Sequence, residues 1–313
     1  NVVATGLMPE SEWEDFLRCL NTPLATTFWI TPIATGAGDA KAFLHTCRQR
    51  AEKAVANGDV DSSSEESMRV QPCAWSSDGS AWCVDVPKAL LRKDEVFKPL
   101  HQFLIKHTAR GTINRQEEVS MLPPIMLDIG AGHRCLDMCA APGSKTAQML
   151  VALAAANFQR WGRGLDDICD EGVKRCQSSL RGRIDYSKDE GLVVANDLSS
   201  DRSGMLVHQV ARHRLLYPLA AFTSHDARFF PSVQTPSGEE LRFDRILCDV
   251  MCSGDGTLRK QPYIWKSWNL RDSIGLHIRQ FNILQRGLDL LKVGGRLVYS
   301  TCSLNPVEDE AVV

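Results

Sequence analysis

At 313 residues, with 43% hydrophobic and 24% charged side chains, the chain has room for one large core or two domains and the composition of an ordinary soluble globular protein. A formal net charge of -2 excludes a protein that coats nucleic acid indiscriminately, while leaving room for local basic patches. No apolar run approaches the ~18 residues of a membrane helix, and no basic-then-apolar leader opens the chain, whose first residue, Asn1, is not expected to be the native start.

In chain order, Ser11-Glu12-Trp13-Glu14 has capping-box spacing and opens a short helix to about Leu20. An extended Ala25–Thr31 and a longer helix from about Asp39 to Ala56 follow, giving a small α/β unit. Asn57–Met68 has almost nothing to bury and is expected to be a mobile loop. Strands near 70–75 and 80–85 precede a helical pattern through 88–109 that Gly111 ends, and a further helix is expected near 114–121, before Pro123-Pro124.

From Arg134 the rhythm is strand, helix, strand, helix. Strands are expected at 134–138, 191–196, 219–224, 243–249 and 295–301, and helices at about 144–158, 200–215 and 272–291. Alternation of that kind builds a parallel, doubly wound sheet. Residues 157–190 read as a polar insertion with helical stretches. The stretch R-C-L-D-M-C-A-A-P-G-S-K-T-A-Q-M-L, from Arg134 to Leu150, is the centre of this half. A strand breaks at Ala140-Ala141-Pro142-Gly143 and a helix restarts at Ser144, a favoured capping residue, so that small residues and free backbone N–H groups face one point. A phosphate-binding loop needs Gly-Lys-Ser/Thr contiguous, but here the order is Gly143-Ser144-Lys145-Thr146; the dinucleotide fingerprint needs its Gly-x-Gly after the strand, but Gly130-Ala131-Gly132 precedes it. By residues alone this is a cofactor turn of unspecified kind, and a plain strand-turn-helix is the alternative.

Polar residues recur at the C-terminal ends of the expected strands: Asp137 and Cys139, Asn196 and Asp197, His225 and Asp226, Asp249 and Cys252, Thr301 and Cys302. Any one acid could simply cap the next helix, but ligands of open α/β sheets bind outside those ends, and five such positions in succession outline one crevice. Asp197 is placed to accept ribose hydroxyls and Asp226 to hold an adenine amino group, so the site is adenosyl-shaped. The eleven cysteines include no C-x-x-C pair, so neither a zinc site nor a disulfide framework is indicated, and no metal is expected. A free Cys is most often a small buried hydrophobe, yet Cys252 and Cys302 fall on polar loops beside an acid, where a thiol is a reachable nucleophile.

Two stretches are locally basic. Residues 85–116 hold seven Lys/Arg against Asp85, Asp94 and Glu95, with Phe97, His101, Phe103 and His107 interleaved; residues 257–280 hold five against Asp272, with Tyr263, Trp265 and Trp268 between. Each alone reads as a solvated helix face; together with the crevice they read as phosphate contacts and base-stacking surfaces.

These residues resemble the Sun-type RNA (cytosine-5) methyltransferases, and most closely their eukaryotic tRNA-modifying branch. The resemblance rests on L-D-M-C-A-A-P-G-S-K-T (136–146), V-A-N-D (194–197), H-D-A (225–227), D-R-I-L-C-D-V-M-C-S-G-D-G-T (244–257), V-Y-S-T-C-S-L-N-P-V-E-D-E (298–310) and the upstream G-T-I-N-R-Q-E-E-V-S-M-L-P-P (111–124). It implies a Rossmann-like S-adenosylmethionine (SAM)-dependent methyltransferase domain at 111–313 and a smaller N-terminal α/β RNA-binding region at 1–110, in an intracellular protein of the nucleus or nucleolus, with the cytoplasm as alternative. It implies SAM bound by Cys139, Ala140, Ala141, Pro142, Gly143, Ser144 and Lys145, with Asp197 on the ribose, Asp226 near the adenine and Asp249 also at the cofactor. Catalysis would fall to Cys302 as nucleophile, Cys252 as the thiol that resolves the adduct and Asp249 on the cytosine of an RNA, in first place a tRNA. Where the family usually has Pro before the second cysteine this chain has Met251, and family members continue with two more strands beyond Val313, so the chain is expected to be truncated at its C-terminus. The same chemistry on ribosomal RNA and a non-catalytic RNA-binding scaffold are the competing readings.

Overall fold

The computed structural model describes residues 8–34, 36–57, 69–160, 190–213, 216–234 and 237–313. The loop expected at Asn57–Met68 lies outside these but for Asn57, as does nearly all of the insertion expected at 157–190.

The N-terminal part opens with α1 (Trp13–Asn21), β1 (Thr26–Ile30) and α2 (Ala37–Ala56), followed by β2 (Arg69–Pro72), β3 (Ala81–Asp85), α3 (Lys88–Lys93), α4 (Lys98–Arg110) and β4 (Ile113–Arg115). Its four strands form an antiparallel sheet in the order β2-β3-β1-β4. The helix expected near 114–121 is reduced to one 3-10 turn at Val119–Met121. Ile113 and Arg115 instead pair with Ile30 and Phe28, because edge pairing on β1 buries Ile113 (1% exposed) and satisfies backbone groups that a short helix would leave unmatched. The N-terminal sheet therefore reaches past residue 110. The helix of this region comes later, as α5 (Leu122–Met126), where Pro123 is tolerated in a first turn that needs no N–H from it.

The second part runs β5 (Arg134–Asp137), α6 (Ser144–Arg160), β6 (Leu192–Asn196), α7 (Ser200–Ala211), β7 (Ala220–Thr223), a small hairpin of β8 (Val233–Gln234) and β9 (Glu240–Leu241), β10 (Phe243–Asp249), α8 (Ile264–Ser267), α9 (Leu270–Leu290) and β11 (Leu291–Ser300). Its sheet has the order β11-β10-β5-β6-β7 with every neighbouring pair parallel, the doubly wound arrangement expected from the alternation. Side chains alternate along each strand between two cores. Cys135 and Leu247 pack with α6 and α7 on one face, and Leu136, Ile246 and Cys248 pack with Ile283 and Leu290 of α9 on the other. Strand order reverses between β5 and β10, and the carboxyl ends at that switch point are where a crevice opens.

The two parts share buried contacts. Trp29 and Ala81 join the core beneath α6; Trp29 Nε1 donates to Gln116 Oε1 (2.9 Å), and His213 Nε2 lies 3.1 Å from Asn114 Oδ1. Burial of His213 pushes its imidazole down to about 4, which leaves a neutral ring stacked on Trp29.

Candidate active site

The turn after β5 is built from residues that fit nowhere larger. Ala140 and Ala141 are buried, Gly143 has φ +107°, and a Cβ at Gly143 would stand 2.9 Å from Leu206 Cδ1 on α7. Only glycine allows that backbone and that approach together. Helix α6 starts at Ser144, where the sequence has it restart, with Gly143 O accepting from Ala147 N at 2.9 Å. Asn196, fully buried at the end of β6, fixes three loops at once. Its Nδ2 donates to Met138 O (3.0 Å) and His225 O (2.9 Å), and its Oδ1 accepts from His225 N (2.9 Å) and Thr223 Oγ1 (3.0 Å).

Around this turn lies a cavity of about 310 Å³. Cys139, Ala141, Asp197, Asp226 and Asp249 line it, together with Met251, already marked by its departure from the family pattern, and with Leu198, Arg202, Arg228, Arg279 and Ile283, which the sequence does not place there. Ala140, Pro142, Gly143, Ser144 and Lys145 shape the turn without lining the cavity. Asp197 is 3% exposed; its Oδ2 accepts from Ala141 N and its Oδ1 from Ser199 N, both at 3.1 Å. Arg202 donates to Ala141 O at 2.7 Å and stands 3.5 Å from Asp197 Oδ2. Asp226 is held by Arg228, whose Nε and guanidinium nitrogen approach its two oxygens at 3.0 and 2.6 Å. Those hydrogen bonds hold the Asp226 carboxyl below the usual carboxylate range. One buried and two half-buried acids, apolar walls such as Ala227 and Ile283, and a volume of this size suit a nucleoside with a polar ribose and a flat base.

Next to the cavity, β10 and β11 deliver the two cysteines. Asp249, the last residue of β10, accepts from Lys145 Nζ at 2.7 Å and from Ser300 Oγ at 2.8 Å. Cys252 and Cys302 lie with their sulfurs 3.1 Å apart, and Cys302 N donates to Cys252 Sγ at 3.3 Å. Gly256 N donates to Cys302 O at 3.0 Å, and a Cβ at Gly256 would stand 2.7 Å from that same oxygen, so this glycine lets the two loops close on each other. The hydrogen bond from Cys252 holds the Cys302 thiol below its ordinary value against the opposing effect of burial, and Lys145 adds to the lowering. The same bond, with burial, pushes the Cys252 thiol far up. One sulfur is thus poised as a thiolate and its neighbour as a proton-bearing thiol. Cys139, by contrast, is pushed well above its ordinary value by burial, and Cys248 by burial in mid-strand.

Within the first basic patch the aromatics are not stacking surfaces. Phe97, which caps α4, and Phe103, on its inner face, are 2% and 7% exposed because both pack into the N-terminal core, and Phe103 stacks on Phe43 and His107. In the second patch Tyr263, Trp265 and Trp268 are 65%, 46% and 37% exposed. Two of its cations are tied to the protein, Arg259 to Thr22 O and Pro23 O, and Lys260 to Glu117 at 2.7 Å.

Comparison with known proteins places these features. The family described as 16S rRNA methyltransferase RsmB/F matches residues 183–313. The multisite-specific tRNA:(cytosine-C(5))-methyltransferase of Saccharomyces cerevisiae is 43% identical over 98% of this chain and 40% of its own length. The tRNA (cytosine(34)-C(5))-methyltransferase of Drosophila melanogaster is 41% identical over 97% of this chain and 38% of its own. The chain therefore spans about two fifths of the length of these curated relatives. In fold it is similar to NSun6 of Pyrococcus horikoshii, solved with SFG, with a TM-score of 0.61 at 15% identity, covering 98% of this chain and 83% of that one.

Proposed function

The chain belongs to the Sun-type RNA (cytosine-5) methyltransferase family, and we propose that it transfers a methyl group from SAM to C5 of cytosine in tRNA, through a covalent adduct between Cys302 and cytosine C6. The observation that carries this reading is the pair of thiols from two neighbouring strand loops, 3.1 Å apart and flanked by the Lys145–Asp249 ion pair.

When bound, SAM supplies an electrophilic methyl group. Asp197 would accept its ribose hydroxyls, Asp226 would face the adenine amino group, and the turn at 139–145 would shape the wall against which it rests. Cytosine C5 is too weak a nucleophile to take that methyl unaided. The Cys302 thiolate therefore adds to C6, and the electron pair of the C5–C6 bond becomes an enamine able to attack from C5. Asp249 contacts the cytosine, where a proton shared with ring N3 favours the addition, and Lys145 fixes the Asp249 carboxylate in place. After transfer a base takes the C5 proton, the double bond re-forms and Cys302 departs as thiolate. Cys252, once it has given its own proton to solvent, is the group within reach to take that proton. A base must be unstacked to meet these residues, which suits flexible RNA, and the exposed Tyr263, Trp265 and Trp268 offer faces for its neighbours.

Bisulfite sequencing of cellular RNA with and without the gene tests the reading: loss of 5-methylcytosine from tRNA is expected. Because the matched family is described by 16S rRNA methylation, loss confined to ribosomal RNA would move the substrate while keeping the chemistry. An unchanged map would remove the activity and favour a binding scaffold, for which two juxtaposed thiols have no use.

A further inference from the structure

Glu308 has 0% of its surface exposed, and the partners of its carboxylate are neutral groups. Oε2 accepts from Ser253 N and Gln280 Nε2, each at 2.9 Å. Oε1 accepts from Ser253 Oγ at 2.5 Å and Ser273 Oγ at 2.8 Å, and lies 3.0 Å from Ser303 Oγ, whose single proton it shares with Asp255 Oδ1 at 2.7 Å. Burying a carboxylate without a cation is costly, and several convergent donors are needed to offset it. Here they do: burial opposes ionisation, yet the Ser253 and Ser273 hydroxyls and the Ser253 amide keep the acid below its usual range.

The chain positions of those donors carry the argument. Ser253 follows Cys252 and Ser303 follows Cys302, while Ser273 and Gln280 lie on α9, the helix packed behind both loops. Gln280 also donates to Met251 O at 2.9 Å, on the other side of Cys252. A single buried anion thus takes hydrogen bonds from the residue after each thiol and from the helix that backs them. We infer that Glu308 is a positioning residue, a clasp that holds the Cys252 and Cys302 loops together and so sets the separation of the two thiols. The inference rests on the reading that both cysteines serve one reaction. The requirement is for a carboxylate rather than for volume. Each neighbour donates here, and Ser253 Oγ and Ser273 Oγ already accept from Trp268 Nε1 and Asn305 Nδ2, so a Gln of the same shape would turn its N–H groups toward hydroxyls that must give up donating and take a second donor.

The test uses the whole chain without RNA. Diamide converts two adjacent thiols to a disulfide, taking up their two protons and two electrons, and peptide mapping follows the Cys252–Cys302 product alone. Its rate depends on how well the two sulfurs are aligned. In Glu308→Gln the rate should fall by about tenfold or more, while SAM affinity by calorimetry stays within about twofold, since Glu308 does not line the cofactor cavity. Glu308→Asp, which restores the acceptors with a shorter reach, should recover part of the rate. Ser253→Ala removes one strut and leaves the buried carboxylate other donors; it should slow the disulfide several-fold, and it carries the test if Glu308→Gln does not fold. Parental disulfide rates in Glu308→Gln and Ser253→Ala would overturn the clasp. So would a fall in SAM affinity as large as the fall in rate, since that describes a general packing residue. A parent chain that crosslinks as expected but methylates no RNA would sink the functional reading and leave the clasp standing; active, rate-insensitive variants would do the reverse.

Discussion

Replacing Asp197 probes the proposed cofactor site where the geometry is most constrained. Each carboxylate oxygen already accepts one backbone amide, from Ala141 and from Ser199. Each therefore has one lone pair left for a ligand, and the cavity is the space on that side. Asp197→Ala removes a charged acceptor from two ribose hydroxyls, and one charge-assisted hydrogen bond of this kind contributes roughly 1.5–3 kcal/mol. SAM should then bind roughly 10- to 150-fold more weakly. Asp197→Asn keeps one oxygen and should lose a smaller part. The Ala variant also leaves two amides without a partner, a stability cost of about 1–3 kcal/mol for each one kept from water, which denaturant unfolding reads separately. Calorimetry with SAM and with its demethylated product should show equal losses, because the ribose is common to both. Undiminished affinity in a folded Asp197→Ala chain would remove Asp197 from the site, and a loss confined to one ligand would show that it acts through the sulfur end.

The two cysteines should respond asymmetrically: Cys302→Ala should abolish methylation and form no adduct, whereas Cys252→Ala should permit attack and methyl transfer but stall release, leaving a protein–RNA species on denaturing gels. A trapped adduct in Cys302→Ala would reverse the assignment. RNA binding should weaken as salt rises, with a log–log slope of about 0.7 per phosphate contact on a single strand. Reversing the exposed Arg92 and Lys93 together should flatten that slope by about 1.4, and an unchanged slope would make α3 a solvated face. Burial raises the Asp137 carboxyl from 3.8 to about 7, so the folded state binds the proton more tightly than the unfolded one. Stability should therefore fall as pH rises through that window, by something on the order of 4 kcal/mol, and level off above it. Asp137→Asn should flatten the profile in urea titrations; an unaltered profile would place the titration elsewhere.

What the sequence disclosed is what depends on local pattern. The apolar run Phe243–Asp249 ends where β10 ends, and the small residues at 140–143 mark the turn, because strand and turn preferences are properties of neighbouring residues. The failures lie where a distant partner decides. Ile113–Arg115 is a strand because β1 offers an edge 85 or so positions earlier, and Phe97 and Phe103 face inward because α4 packs on α2 and its own sheet. The same limit holds in the site. Lys145 was legible as part of the cofactor turn, and Asp249, Cys252 and Cys302 as residues at strand ends, but the 2.7 Å ion pair and the 3.1 Å thiol contact join residues with sequence separations of 104 and 50. Glu308, in the run Glu308-Asp309-Glu310, is buried because serines far from it in sequence supply its hydrogen bonds.

The thiol contact also orders the proposed reaction in time. Cys252 is pushed up first by its hydrogen bond to Cys302 and then by burial, so the largest single cause of its reluctance to ionise is present while Cys302 is free to accept that bond. Once that sulfur is bonded to C6 its charge is gone, and Cys252 loses the acceptor that kept its proton. The second cysteine therefore keeps its proton before attack and gives it up to solvent more readily afterwards, so that a thiolate is at hand when the C5 proton has to leave. Capping Cys302 with a small alkyl group reproduces the second situation without RNA. Cys302, the more exposed thiol with the lowered value, should be alkylated first. The pH at which Cys252 then reacts with a second, mass-distinct reagent should lie below that at which it reacts in Cys302→Asp, where a negative charge persists beside it. Equal reactivity in the two proteins would mean that burial alone sets Cys252, and the thiol contact would then have no part in timing the release.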